Sequence, residues 1–110
     1  VPSQGELLFE AYCAHCHMSG GQGLKKLIPP IAASDYLNQN WNQLACIIKY
    51  GQQAEILVNG VVYSEPMPAN EKMTEVEISN IITYIQSKWY PEKSVQNILQ
   101  LRETLNNCQN

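Results

Sequence analysis

Apolar positions recur along this chain in two rhythms. Between Glu75 and Trp89, Val76, Ile78, Ile81, Ile82 and Ile85 are spaced by threes and fours, which predicts a helix with a broad apolar face. Thr74 and Glu77 have the spacing of a capping box at its start, and Pro91 ends it. Leu44, Ala45, Ile47 and Ile48 predict a second helix over Trp41 to Tyr50, closed by Gly51 as its C′ residue. A third is predicted from Gln4 to Ala14, and a fourth over Glu92 to Asn107, where Val95, Ile98, Leu99 and Leu105 share a face. The other rhythm is short. Ile56-Leu57-Val58 and Val61-Val62-Tyr63 flank Asn59-Gly60, a strong hairpin signal because both turn residues accept φ > 0. So short a ribbon must lean on other elements.

Composition fits this picture. The chain has 110 residues, 45% of them hydrophobic, enough for one small core. Seven basic and ten acidic residues leave a formal charge of -3, which excludes a nucleic-acid-binding role. No apolar run approaches the ~18 residues of a membrane helix, so the chain is not transmembrane, although a lipid anchor or tether is compatible with it. Repeats and low-complexity tracts are absent.

The chemistry is concentrated in Cys13-Ala14-His15-Cys16-His17. C-x-x-C-H is the attachment pattern of a c-type haem: each thiol bonds one porphyrin vinyl group, and the adjoining histidine lies beneath the iron. Other readings fit less well. A thioredoxin-like site needs a strand before the pair and a βαβ frame, whereas the preceding segment is helical. A zinc site needs four ligands from separated pairs, and both histidines of the chain lie inside the motif. The expected cofactor is one covalent haem c, held by Cys13 and Cys16 with His17 as the proximal ligand. Such attachment occurs outside the cytoplasm. Val1-Pro2-Ser3-Gln4-Gly5 has neither a basic start nor an apolar stretch, so this sequence is expected to be the mature form of a periplasmic or otherwise exported protein.

Three methionines could close the sixth iron position. Met18 follows His17 and cannot reach the other face of a porphyrin. Met73 stands just before the capping box, where a residue packs as a hydrophobic staple. Met67 sits between Pro66 and Pro68, in a stiff extended segment that can present a thioether at a set depth. Met67 is the expected distal ligand. His/Met ligation raises the reduction potential and fills the last coordination place, so single-electron transfer is expected and catalysis is not.

With Cys13, Cys16, His17 and Met67 in place, the chain resembles the small class I cytochromes c from about Gly5 to Trp89. Gly5 and Phe9 resemble the first-helix pair that packs on an aromatic of the last helix, here Tyr84. Gly20-Gly21-Gln22-Gly23 is similar to the family's glycine-bearing loop. Ile28-Pro29-Pro30-Ile31-Ala32 resembles its proline segment, which implies that the Pro29 carbonyl accepts the proximal histidine's Nδ1–H. The nearest subgroup has a short hairpin and a Met-Pro loop before the last helix. The resemblance implies an all-α fold around one covalent haem, with a small β-hairpin and, in this chain, an extra C-terminal helix. It implies a cytochrome c domain over 1–90 and a helical extension over 91–110 packed on it. A monomer making transient contacts with a redox donor and an acceptor is expected. The alternatives are the haem domain or subunit of a periplasmic dehydrogenase or reductase, and a haem enzyme or sensor with a labile sixth ligand.

Two cysteines are left over. In an oxidising compartment Cys46 and Cys108 are expected to form a disulfide; buried inert thiols, or pairing of Cys108 between chains, are the alternatives. Trp41 and Tyr63 are candidate haem-pocket residues, and Trp41 is as readily a core anchor. Lys25 and Lys26 belong to a solvated loop near the motif.

Overall fold

A computed structural model describes residues 2–108. Val1, which opens the stretch read as leaderless, and Gln109 and Asn110, which end the tail, lie outside the described residues. The architecture is set by the crossing of its first helix and its longest one. Helix α1 (Gln4–Tyr12) is capped by Ser3, whose Oγ accepts the Glu6 N–H at 3.1 Å. It lies across a helix spanning Glu75–Trp89, which has the limits expected from its pattern. At that helix's start Thr74 accepts the Glu77 N–H at 3.2 Å, and the Glu77 carboxylate accepts the Thr74 N–H at 2.8 Å. The crossing is close because residue 5 is glycine. A Cβ there would overlap the Asn80 carbonyl and come within 2.9 Å of the Tyr84 Cβ. One turn on, the fully buried Phe9 ring lies 5.4 Å from Tyr84 and 5.5 Å from Trp89.

The predicted first helix runs through Ala14, but the structure breaks it at Cys13, which has φ -121. The Cys13 N–H still reaches the Phe9 carbonyl, while its own carbonyl starts a separate turn by accepting from Cys16 and His17. That turn is α2 (Ala14–His17). Helix α3 (Asp35–Gln39) has no counterpart among the predicted elements. Five residues with only Leu37 buried carry no periodicity, and Ser34, which accepts the Leu37 N–H at 3.0 Å, is its one local signal. The helix expected over Trp41 to Tyr50 opens as a 3₁₀ turn (Trp41–Gln43) and continues as α4 (Leu44–Tyr50), ending at Gly51 with φ 74.

Strands β1 (Ile56–Val58) and β2 (Val61–Tyr63) pair antiparallel, with Val58 opposite Val61. Asn59 and Gly60 both have positive φ, the conformation of a type I′ turn. Val58 and Tyr63 are buried, whereas Leu57 and Val62 face out. The ribbon leans on α3 through a reciprocal pair: the Asp35 carboxylate accepts the Asn59 N–H at 2.7 Å, and the Asn59 side-chain oxygen accepts the Asp35 N–H at 3.0 Å.

The helix over Glu75–Trp89 is α5, and its buried Ile78, Ile81, Ile82 and Ile85 meet α1 and α4. Met73 packs into the same core ahead of the cap. The last helix, α6 (Ile98–Asn106), is shorter than the span expected from Glu92. Asn97 caps it and forms a second reciprocal box with Gln100, a stronger start signal than the apolar rhythm upstream. Leu101 and Leu105 bury against α4 and α5. Beyond α6, Cys108 is disulfide-bonded to Cys46 on α4, with Cα atoms 5.6 Å apart. Among the described residues no helix is long and apolar enough to cross a membrane.

The bridge spans 62 residues of sequence. Replacing both Cys46 and Cys108 by Ala is expected to cost about 2–4 kcal/mol of stability, read as a lower guanidinium midpoint with a larger m-value, because the uncrosslinked denatured chain exposes more surface.

Candidate functional site

Helix α1 delivers Cys13 to the edge of the core, and the single turn of α2 brings Cys16 and His17 round beside it. Neither residue is part of the disulfide; Cys13 is buried and Cys16 half-buried. Burial pushes the Cys13 thiol up to about 11, so until it is bonded it is an uncharged S–H, unsuited to holding a bare metal ion. The His17 Nδ1–H donates to the Pro29 carbonyl at 2.9 Å. Burial lowers the imidazole's pKa, against the opposing pull of that carbonyl; the nearby His15 lowers it further. The ring is therefore neutral at pH 7, with its proton on Nδ1 and the Nε2 lone pair free to bind a metal.

The Pro29 segment is held by the loop before it. Ile31 and Ala32 donate their N–H groups to the Gly21 carbonyl at 2.7 and 3.0 Å, and Gly23 donates to the His17 carbonyl at 3.0 Å. Gly21 has φ 69, and a Cβ there would meet the Trp89 ring at 2.8 Å. Only glycine allows the loop to lie this close to the end of α5.

Met67 is placed by α4. The chain after Gly51 pairs with the Met67 segment as a two-bond bridge, Gln52 N–H to Met67 O at 3.0 Å and Met67 N–H to Gln52 O at 2.8 Å. Asn70 donates its backbone N–H to the Lys49 carbonyl at 2.9 Å and its side-chain NH₂ to Ile48 at 3.1 Å. The Lys49 ammonium donates to the carbonyls of Glu71 and Met73 at 2.8 and 3.1 Å. A Cβ on Gly51 would overlap the Met67 carbonyl. Pro66 and Pro68 need no donors satisfied, and these bonds hold most of the rest of the loop to the last turn of α4.

Between the two loops runs one cleft with two lobes. The outer lobe, about 500 Å³, is lined by Cys16, His17, Pro29, Tyr63 and Met67 among others. The inner lobe, about 90 Å³ and strongly apolar, is lined by Cys13, Ile48, Ile81 and Ile85. His17 and Met67 line both. The volume lies in the ~300–1,000 Å³ range of small-molecule sites. Two thiols, a neutral imidazole and a thioether around an apolar slot fit a covalently attached haem. Among the described residues, no three His, Cys, Asp or Glu side chains cluster as ligands for a bare ion.

Of the two candidate pocket residues, Tyr63 lines the cleft and donates its hydroxyl to the Lys25 carbonyl at 3.2 Å. Trp41 lines neither lobe, and of its two readings it takes that of the core anchor. Its indole N–H is taken by the Ser94 carbonyl at 2.9 Å, and its ring packs 5.4 Å from Tyr90, so it anchors the tail segment. Lys49 and Asn70 escaped sequence reasoning, because each works on a backbone carbonyl about 22 residues away with no local pattern to show it.

A family model described as cytochrome c oxidase, cbb3-type, subunit III matches residues 1–85. Two relatives are similar to this chain: a cytochrome c-552 of Thermus thermophilus, and a second cytochrome c-552 from a particular strain of the same organism. Each is 30% identical over 90 residues, or 78% of this chain. The matched stretch spans 69% of the first relative's length and 61% of the second's.

Gly51→Ala combines a left-handed backbone with a clash at the Met67 carbonyl. It is expected to cost ~1–3 kcal/mol, seen as a lower unfolding midpoint. Gly60→Ala, whose Cβ meets nothing within 4 Å, is expected to cost less in the same measurement.

Proposed function

This chain belongs to the cytochrome c family, and from that premise we propose a monohaem class I carrier in which His17 and Met67 are the axial ligands. Its cofactor is haem c and its activity is electron transfer through that haem. Bound here, the haem supplies a one-electron Fe(III)/Fe(II) couple. Cys13 and Cys16 hold it through thioethers. His17 offers Nε2, and the Pro29 carbonyl fixes the ring and strengthens it as a donor. Met67 offers its sulfur from the loop held by α4; a thioether favours Fe(II) and leaves no open coordination place. The isoleucines of α4 and α5 keep water from the inner lobe, which limits reorganisation when the charge changes.

The observation that carries this reading is that His17 and Met67, fifty residues apart in sequence, both line both lobes of one cleft. The protein works in the periplasm or an equivalent exported compartment, as a monomer that passes electrons between a larger donor and acceptor through small transient contacts. The tail from Pro91 to Cys108 extends the same domain, with the Cys46–Cys108 bond as its clasp. A second reading, the haem module of a larger redox assembly, draws support from the oxidase-subunit description of the matching family model. Stable co-purification with a larger redox protein would favour it over the free carrier.

The ferric protein is expected to show the absorption band at the red end of the visible spectrum that marks methionine-sulfur ligation. Met67→Ala should abolish that band and open the iron to carbon monoxide, whereas Met73→Ala should keep the band and lose stability. A wild type that binds carbon monoxide readily at neutral pH would sink the assignment.

Acid should release His17 by competing for Nε2. Iron on Nε2 and burial of the ring both disfavour protonation, so the protonated form gains ground only in acid. The haem spectrum is therefore expected to stay constant from pH 8 to 6.5 and to change only at lower pH.

A further inference from the structure

Tyr90 follows the last residue of α5 and is 4% exposed. Its hydroxyl donates to the Ile31 carbonyl and accepts the Ser34 N–H at 2.9 Å. The Ser34 carbonyl lies farther off, at 3.4 Å, so the single phenolic proton belongs to Ile31. Ile31 is two residues beyond Pro29, whose carbonyl receives the His17 Nδ1–H. The Ile31 N–H is also bound, to Gly21 at 2.7 Å. The strap over residues 29–34 is thus fastened at both ends by groups outside it: the glycine loop takes the N–H of Ile31, and Tyr90 takes its carbonyl and the N–H of Ser34.

We propose that Tyr90 is a positioning residue for the proximal ligand, its hydroxyl setting the strap so that the Pro29 carbonyl stays in line with the His17 Nδ1–H. The inference rests on the reading of His17 as an axial ligand. Without the hydroxyl, the Ile31 carbonyl and the Ser34 N–H lose a buried partner and the strap is free to move to regain one. The Pro29 carbonyl moves with it. A weaker Nδ1–H bond makes the imidazole a poorer donor, which stabilises Fe(III) less and raises the potential. Burial keeps the phenol's pKa above its ordinary value, so it remains a donor throughout the working range. The ring is held independently against Trp41 at 5.4 Å, and the Tyr90 backbone N–H donates to the Gln86 carbonyl at 2.9 Å. Tyr90→Phe therefore removes the hydroxyl and leaves the packing.

The test compares the haem-bearing full chain with two variants. Tyr90→Phe removes the hydroxyl, and Leu105→Ala opens a cavity on α6 at a residue that lines neither lobe of the cleft. Reduction potential and the exchange rate of the His17 Nδ1 proton are measured beside the thermal midpoint. Tyr90→Phe is expected to speed that exchange at least tenfold and to shift the Fe(III)/Fe(II) equilibrium about threefold toward Fe(II), or ~30 mV at 59 mV per tenfold. Leu105→Ala, with an equal or larger fall in midpoint, should leave both readings at wild-type values. The proposal is overturned if Tyr90→Phe leaves both unchanged, or if the two variants move them alike. A wild type whose spectra show no haem-shifted His17 ring overturns the ligand assignment itself, and that result appears before any substitution is made.

Discussion

Where α1 crosses α5, the Gly5 backbone stands against the Asn80 carbonyl with no room for a side chain. Most of the haem site depends on that approach. α1 runs straight into Cys13, so its position fixes where the thiols and His17 emerge. α5 ends in Trp89, with Tyr90 next to it, and the two reach the glycine loop and the Pro29 strap. Were the two helices to part by the width of a methyl group, the histidine and the carbonyl that orients it would be carried by elements no longer in register. Overpacking at a site of this kind typically costs ~1–3 kcal/mol, and the loss would fall on alignment as much as on stability.

The cleft is therefore built from two irregular loops held by regular elements, and the two are held differently. The proximal strap hangs between Gly21 and the end of α5. The distal loop is tied to the last turn of α4 by the Gln52–Met67 bridge, Asn70 and the Lys49 ammonium. Each hydrogen bond contributes only ~0.5–1.5 kcal/mol net. Several acting on one short loop remove its freedom to rotate, which is what a ligand needs if it is to meet an iron without reorganising.

Much of this was legible along the chain because it is encoded locally. The capping box at Thr74, the Asn-Gly turn and Gly51 at the end of α4 each act within a few residues, and the structure has each at its expected place; the C-x-x-C-H motif is as local in sequence. The misreadings share a cause. The apolar rhythm of the tail continues back towards Glu92, but the reciprocal pair of Asn97 and Gln100 decides where backbone donors are first satisfied. α3 is too short for any rhythm to show. Trp41 reads two ways along the chain, as pocket residue or core anchor, because nothing near it in sequence shows that its indole N–H goes to Ser94. Local chemistry reads directly; partners chosen across the fold do not.

The bridge between Cys46 and Cys108 sets a load path. Tension applied to the chain just beyond Cys108 passes through sulfur to α4 and leaves α5 and α6 slack inside a covalent ring. The helix that receives the pull is the one to which the Met67 loop is tied, while the thiols and His17 lie outside the ring. A partner or tether attached at that end would be mechanically continuous with the distal wall of the cleft and would reach the proximal one only through the packing of α4 on α5. The two sides of the site, so close in space, would then feel such a pull in sequence, the methionine side first.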